Sequence, residues 1–478
     1  MSTDIFMATK RAPFEFERDS VTGALRRAAV APGGTGSVVA DQARYLGTNW
    51  FSSAMTDADR EVAREHPDGL DAALPGEKPS RLVLLQHDPA EFDLFQYRFT
   101  ADVLWYALHS LWETWRVPCF GDEIRRGWAA YLSINEQFAS ALADAAASSP
   151  DPVFLVHDYQ LSAVPSFLRD RAGAGPRILL FSHLPWPSPD GWRVMPTHVR
   201  TEMLERLLAA DVVGFFAQRW ASNLLSCIED NVPGARVDRS AGDVFYRDRR
   251  TSVRAMPLGY SPASLETRPP RILGELERWV GDRKLVLHAG RTDPIKNAPR
   301  AIAAFAAAAE QHVGVREARL VVKMNPNRLY VSGNAAYLEA AQQAASEGNR
   351  ALGSEMIRVV VDDDVSLTLG LLARADVIVL NSILDGQNLT AYEGSLVNER
   401  DCRLLLSEGC GAAETLRDVA TIINPFDISE LAGALAVAVD MNGEEARERF
   451  EARREVAAGY SLPRWVDAQL REILECRG

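Results

Sequence analysis

The chain has 478 residues, 47% of them hydrophobic and 24% charged, with a formal net charge of −13. The length predicts about two or three domains, and the balance is that of a globular protein with enough apolar residues for large cores. An acidic chain without a lysine or arginine block excludes a nucleic-acid or anionic-membrane surface, so an anionic ligand has to be met by a local group of cations. Five cysteines, at 119, 227, 402, 410 and 476, are odd in number and form no CxxC. They read as free thiols in a reducing compartment. The first residues carry no signal-peptide pattern and no apolar run is long enough to span a bilayer, so a cytoplasmic location is expected.

Residues 4–8 predict a short strand ending at Lys10-Arg11. Ala31-Pro-Gly-Gly-Thr-Gly36 predicts a loop that a ligand can approach closely, followed by an amphipathic run from Val38 to Leu46. The loop lacks the spacing of a dinucleotide fingerprint or a P-loop. Asn49–Ser53 and Arg81–Gln86 predict strands, with a charged surface excursion between them. Over 92–116 the aromatics Phe92, Phe95, Tyr97, Phe99, Trp105, Tyr106, Trp112 and Trp115 gather, and most are expected in the core. From 123 onward helices (123–147, 161–170, 198–209) alternate with strands (152–156, 178–182, 211–216, 252–257). A Pro-rich stretch to Pro270 reads as a linker. The second half repeats the alternation, with strands near 284–288, 318–324, 357–361, 376–380, 402–407 and 419–423. This order predicts an α/β protein of two Rossmann-like doubly wound parallel sheets. Ligands of such sheets bind outside the carboxyl ends of the strands, which puts the expected cleft between the domains.

One stretch organises the chemistry. Lys284 to His288 reads as a buried strand, Gly290 permits a tight turn, and Asp293-Pro294 reads as an N-cap followed by proline in the first helical turn. Arg291 and Lys296 then flank a helix N-terminus, a seat for a phosphate or diphosphate. An ordinary turn with two solvated cations is an equal alternative on this stretch alone. Other polar groups fall just past predicted strand ends: His157-Asp158-Tyr159, His183 to Asp190, Lys323 to Arg328, and Asp385 to Thr390 ahead of a short helix holding Glu393. Each can be structural; their shared place at the carboxyl edges groups them. Arg291, Lys296 and the helix opened near Leu389 suit a departing diphosphate. Glu393 suits a ribose diol, Asp158 and His183 suit hydroxyls or an incoming nucleophile, and Arg11 with Arg328 suits a second anion such as a sugar phosphate. Asp362-Asp363-Asp364 invites a metal, but adjacent aspartates point in different directions, and no metal is expected.

Arg-x-Asp-x-x-Lys stands at Arg291, Asp293 and Lys296, and Asp-Gly-x-Asn-Leu at 385–389 with Glu393 beyond it. His-Asp-Tyr-x-Leu stands at 157–161, His-x-Pro-Trp-Pro at 183–187, and Ser-x-x-x-Gly-Ala-Ala-Glu at 407–414. In these motifs, and from Arg11 to the last helix near Trp465, the chain resembles the trehalose-6-phosphate synthase family of retaining GT-B glycosyltransferases. The resemblance implies an acceptor domain over 1–260, joined by the C-terminal helix 460–478, and a nucleotide-donor domain over 261–459. It implies donor contacts from Gly33, Gly34, Arg291, Lys296, Asp363, Asp385, Gly386, Gln387, Asn388, Leu389, Thr390 and Glu393. Acceptor contacts are implied from Arg11, Gln96, Trp105, Asp158, His183, Asn325 and Arg328, and catalytic roles for Asp158, His183, Arg291 and Lys296. Gln96 stands where the family carries a tyrosine nine residues before the tryptophan, which implies altered acceptor recognition.

Gly33 to Gly36, His87 to Pro89, Met324 to Val331, Asp385 to Leu389 and Leu396 to Asp401 are similar to the validoxylamine 7'-phosphate synthase branch, a pseudo-glycosyltransferase. That likeness implies transfer from GDP-valienol to validamine 7-phosphate through a C–N bond, with retention and release of GDP. It implies no cofactor beyond the GDP-linked donor, small molecules as the only partners, and no nucleic acid or membrane. A homodimer is compatible with the sequence and not fixed by it. The alternatives are a trehalose-6-phosphate synthase using a nucleotide glucose and glucose 6-phosphate, and a catalytically silent sugar-phosphate-binding protein.

Overall fold

The structure, a computed structural model, describes residues 4–29, 35–72, 79–258, 270–327 and 332–476. The chain divides into two compact units, Met1–Met256 with Leu462–Gly478, and Pro257–Ser461. The predicted glycine pair Gly33 and Gly34, and Arg328, lie outside the described residues.

The strands of the first unit are β1 (Ile5–Ala8), β2 (Phe14–Arg18), β3 (Leu25–Ala29), β4 (Asn49–Ser53), β5 (Leu70–Asp71), β6 (Arg81–Leu85), β7 (Val153–His157), β8 (Arg177–Phe181), β9 (Val212–Phe215), β10 (Arg236–Asp238), β11 (Asp243–Tyr246) and β12 (Arg249–Ala255). They form a ten-stranded sheet in the order β10-β11-β12-β9-β8-β7-β1-β4-β6-β5 and a separate hairpin, β2-β3. From β12 to β6 the neighbours are parallel. The central strands are continuous apolar runs: every residue of Val153-Phe-Leu-Val-His157 is buried, as a strand covered on both faces requires. The order reverses between β1 and β7, and the chain leaves their carboxyl ends in opposite directions.

Among the described residues the second unit has six strands, all parallel: β13 (Leu285–Arg291), β14 (Arg319–Asn325), β15 (Ile357–Val361), β16 (Val377–Leu380), β17 (Arg403–Ser407) and β18 (Thr421–Ile423). Their order, β15-β14-β13-β16-β17-β18, is that of a Rossmann sheet, with its switch point between β13 and β16. Side chains alternate between the faces. Val286, Leu320, Val322, Val377 and Leu405 pack with Ile302, Phe305 and Leu435. Leu285, Leu287, Val321, Ile378 and Leu404 pack on the other side with Leu371, Tyr392 and Phe450.

Three features depart from the sequence reading. The charged excursion after β4 contains a helix, Asp57–Glu65, with a capping box between Thr56 and Asp59. Asp59 is 2% exposed and accepts from the backbone of Phe16, Met55 and Thr56, which docks the unanticipated β2-β3 hairpin onto the unit. The segment 218–246, which carried no predicted element, holds a helix, Gln218–Asn231, and the strands β10 and β11. In the aromatic run Phe92, Phe95, Phe99 and Trp105 are buried, but Trp115 is 83% exposed, because it falls in the loop before the helix Asp122–Ala146. Leu94–Leu104 is a π-helix, a geometry often retained at functional sites. No helix among the described residues is long and apolar enough to cross a membrane, and the cysteines are free thiols.

The last helix, Leu462–Glu475, returns to the first unit. Its Trp465, 1% exposed, packs edge-on against Phe181 at 5.0 Å and lies 6.2 Å from Phe216. Gln469 accepts from Gln42 at 3.0 Å. Trp465→Ala is expected to cost the first unit about 3–5 kcal/mol through the cavity it leaves. Hydrogen exchange should therefore quicken at β7, β8 and β9, while β13 to β17 keep their protection.

Candidate active site

In the second unit the organising stretch differs from the expected N-cap. Asp293 does not cap a helix. Pro294–Lys296 is a single 3-10 turn, and the helix Ala298–Gln311 starts only after Asn297, which adopts a left-handed φ of 61°. The reason is that the Asp293 carboxylate, 1% exposed, has other partners. It accepts from Arg291 Nε at 2.7 Å, Asn327 Nδ2 at 2.8 Å and Asn334 Nδ2 at 3.0 Å. Asn297 instead braces the turn by donating to the carbonyls of Asn381 and Pro425. His288, buried on β13, contacts the Lys296 carbonyl through Nε2 at 2.9 Å, and burial pushes its pKa down to about 4.

These bonds aim Lys296 across the switch point. Lys296 Nζ donates to Asp385 Oδ2 at 2.6 Å, with the two side chains only 10% and 14% exposed. Gly290 is required beneath it, since a Cβ there would meet Lys296 Cγ at 2.9 Å. Asp385 follows β16 and is held by backbone bonds with Gly409 and Gly411. Gly411 cannot carry a side chain either: its Cβ would fall 2.1 Å from the Gly386 carbonyl. Gln387 donates to Tyr392 Oη at 2.8 Å, and Asn388 takes φ 70° with its Nδ2 toward Ser382. Leu389 then leads into the helix Thr390–Val397, which opens beside this loop and holds Glu393 in its first turn. Burial raises Glu393 to about 7, and the positive charge of Lys296 limits the rise.

Arg291 ends β13 with its side chain 40% exposed, and apart from Asp293 it has no hydrogen-bond partner among the described residues. Asn325 is its register partner on β14. Lys323, buried beside it, donates to Asn325 Oδ1 at 3.3 Å and the Asp362 carbonyl at 2.5 Å, and burial lowers it to about 8. Asp363 is exposed past β15. Its neighbours serve the turn: Asp362 accepts from Asp364 N, and Asp364 caps the next helix. No three His, Cys, Asp or Glu groups are placed to hold a metal ion among the described residues.

The first unit gathers its own polar group at β1 and β7. Asp158 takes φ 75°, rare for a residue with a Cβ, and its Oδ1 accepts from His183 N at 3.3 Å. His157 Nδ1 and His183 Nε2 are 3.1 Å apart, in a box closed by Phe181, Phe216 and Trp465. Burial drives His157 to about 3 and His183 well below the usual histidine range, with His157 adding to the latter. Both rings are therefore neutral at physiological pH, one donating and one accepting. Arg11 is exposed on the loop after β1. Gln96 and Trp105 are 7% and 5% exposed, and Gln96 Oε1 is buried without a hydrogen-bond partner among the described residues.

Sequence reasoning missed His288, Asn297 and the multiple engagement of Asp293. The first two sat in plain view but read as a strand end and a helix residue. Gly409 and Gly411 were a usable signal, as closely spaced glycines mark a tight backbone approach.

Two successive Rossmann-type sheets, each with its polar residues past the switch point, define the GT-B architecture of nucleotide-sugar-dependent transferases. The same fold is found in an α,α-trehalose-phosphate synthase (UDP-forming) from Burkholderia vietnamiensis, which superposes with a TM-score of 0.82 at 23% identity over 100% of this chain and 97% of that one. The chain belongs to glycosyltransferase family 20, whose profile matches residues 4–475. It is 45% identical over 468 residues to validamine 7-phosphate valienyltransferase of Streptomyces hygroscopicus subsp. jinggangensis, covering 98% of this chain and 94% of that protein. It is 29% identical to a UDP-forming α,α-trehalose-phosphate synthase of Pichia angusta over 74% of this chain and 75% of the relative.

A carboxyl whose folded pKa is raised adds stability that is complete below its unfolded value and is lost as pH rises through the folded one. For Glu393 that window runs from 4.5 to about 7. The unliganded protein should lose unfolding temperature across this range relative to Glu393→Gln. Parallel melting curves for the two proteins would contradict the raised pKa of Glu393.

Proposed function

We propose that the protein joins the valienyl group of GDP-valienol to the amine of validamine 7-phosphate, with retention, giving validoxylamine A 7'-phosphate and GDP. The observation that carries this reading is the 45% identity to validamine 7-phosphate valienyltransferase across 98% of this chain and 94% of that protein. Gln96 supports it: an amide at this position, where the synthases of the family have a phenol, suits a different acceptor.

In this reading Arg291 and Lys296 receive the diphosphate, together with the N–H groups at 386–390 and the helix opened at Thr390. The unliganded site is nearly balanced in charge, because Asp385 offsets Lys296 and Asp293 offsets Arg291. The incoming diphosphate competes with both carboxylates, and the helix terminus contributes without an ion partner of its own. Glu393 accepts from the ribose diol and Asp363 lies toward the base. Arg11, Asn325 and Arg328 hold the acceptor phosphate side, and Trp105 and Gln96 wall the acceptor ring. Asp158 and His183 position the amine and the reacting ring.

The amine attacks carbon on the face from which GDP departs. The C–O bond to phosphate breaks as the C–N bond forms, and a phosphate oxygen takes the amine proton. The allylic alkene of the valienyl group spreads the positive charge that develops on carbon. No enzyme carboxylate is needed as a nucleophile, and the neutral His157–His183 pair is a hydrogen-bonding element rather than a proton store. The reading implies a cytoplasmic enzyme with no cofactor beyond the nucleotide donor, acting as a monomer or a homodimer.

The family-wide alternative is an α,α-trehalose-phosphate synthase, favoured by the UDP-forming relatives. Incubation with GDP-valienol plus validamine 7-phosphate, and separately with nucleotide glucose plus glucose 6-phosphate, distinguishes them by mass spectrometry. Product from the first pair alone is expected; a disaccharide phosphate from the second sinks the proposal. Arg291→Ala should lower kcat about 10²-fold, near 3 kcal/mol of transition-state stabilisation. Turnover close to wild type in that variant would place the diphosphate elsewhere.

A further inference from the structure

The opposite edge of the second sheet carries a feature that the transfer reaction leaves unexplained. At the start of β17 and β18, against the helix Gly443–Gly459, lies a small recess, open on one side, with an enclosed space of about 10 Å³. Three of its lining residues are arginines, Arg403, Arg449 and Arg453, and none is acidic, in a chain whose net charge is −13.

Arg453 is 1% exposed. Its Nε donates to Ser395 Oγ at 3.1 Å, and Nη2 donates to the Cys402 carbonyl at 2.6 Å with Cys402 Sγ at 3.2 Å. All these partners are neutral, since burial pushes the Cys402 thiol up despite the guanidinium beside it. Nη1 has no hydrogen bond among the described residues. Arg403 repeats the pattern: Nη2 donates to the Met441 carbonyl at 2.7 Å, while Nε is buried without a partner. Arg449 is half-exposed at the rim and pairs with Glu445 at 3.0 Å. A buried guanidinium without a counter-ion is costly, and Arg403 Nε is a buried donor with no acceptor among the described residues.

We propose that this recess is an anion site that takes a small oxyanion, inorganic phosphate or a phosphoryl group, on Arg403 and Arg453, with Arg449 at its rim. Guanidinium N–H groups match an oxyanion in both charge and geometry. The five residues of β17 set the recess about 13 Å from the carboxyl edge of the sheet, so it is separate from the diphosphate seat and does not depend on the proposed reaction.

The test follows the unfolding temperature with inorganic phosphate, and then with glycerol 3-phosphate, against sodium chloride of equal ionic strength. Phosphate is expected to raise the wild-type midpoint. The rise should persist in Arg291→Ala and vanish in Arg403→Gln/Arg449→Gln. The same rise with glycerol 3-phosphate assigns phosphomonoesters to the site, and a rise with phosphate alone assigns the free ion. Thr421→Glu sets a carboxylate at the recess; it should raise the midpoint without phosphate and abolish the response, and it serves where the arginine variant fails to fold. A rise that chloride matches, that Arg291→Ala removes, or that Thr421→Glu leaves intact overturns the proposal, as does the absence of any rise.

Discussion

The ion pair between Lys296 and Asp385 holds the second unit's site together. It joins the loop after β13 to the loop after β16, the two strands between which the sheet order reverses. At that point the chain departs in opposite directions, and the same two loops are also bridged by Ile383 N donating to the Ile295 carbonyl at 2.8 Å and by the reciprocal amide bonds of Asn297 and Asn381. Both side chains are mostly buried, so removal of either partner strands an uncompensated charge, a loss of about 3–5 kcal/mol for such pairs. The surrounding bonds serve that contact. His288 fixes the Lys296 carbonyl, Gly290 leaves room for the lysine stem, and the backbone at Gly409 and Gly411 fixes Asp385. The pair also sets the state of Glu393, whose proton is retained by burial and loosened by the lysine.

The first unit solves the same geometric problem with different chemistry. Its order reverses between β1 and β7, and its polar residues follow those strands: Arg11 after β1, Asp158 after β7. Here an aromatic box replaces the ion pair. Trp465, delivered by the last helix, closes over His157, Phe181 and His183, which fixes the histidines as a neutral pair. The Asp158 backbone is held in a strained conformation by Phe181 O, its partner on β8, at 2.7 Å. The chain terminus is thus part of the site's support, although it lies nearly 300 residues from the loops it steadies.

Much of this was readable from residue order because buried parallel strands announce themselves. The runs at 153–156, 285–287 and 404–406 are apolar on both faces, and helical periods separate them. The motif residues followed, since ligands gather where such strands end. What the sequence concealed was competition among polar groups. Asp293 before proline has every local mark of a cap, yet two asparagines and an arginine distant along the chain or across the turn claim its carboxylate. Asp59 likewise looked like one charge among many and proved to be the buried anchor of a hairpin. The Phe-Glu-Phe-Glu-Arg alternation of β2 was a strand signal, and the glycine turn before β3 completed it.

The π-helix shows how backbone geometry changes the meaning of spacing. An α-helix turns about 100° per residue, which would set positions nine apart on opposite faces. The i→i+5 turn is wider, roughly 80° per residue, and nine steps return to the same face. The Trp105 amide bonds to the Thr100 carbonyl, so this geometry holds from Leu94 up to Trp105 itself. On that spacing Gln96 and Trp105 fall on one face of the helix, both nearly buried, and Gln96 Oε1 has no hydrogen-bond partner among the described residues. A phenol there would offer a ring and a hydroxyl; the amide offers a shorter reach and a carbonyl with no donor among the described residues. In the proposed reaction the amine of the acceptor would supply that donor, whereas the oxygen of a hydroxyl acceptor has only its single proton to give. Gln96 is thus the residue of this helix that departs from the synthase pattern, and the proposed change of nucleophile from oxygen to nitrogen rests in part on it.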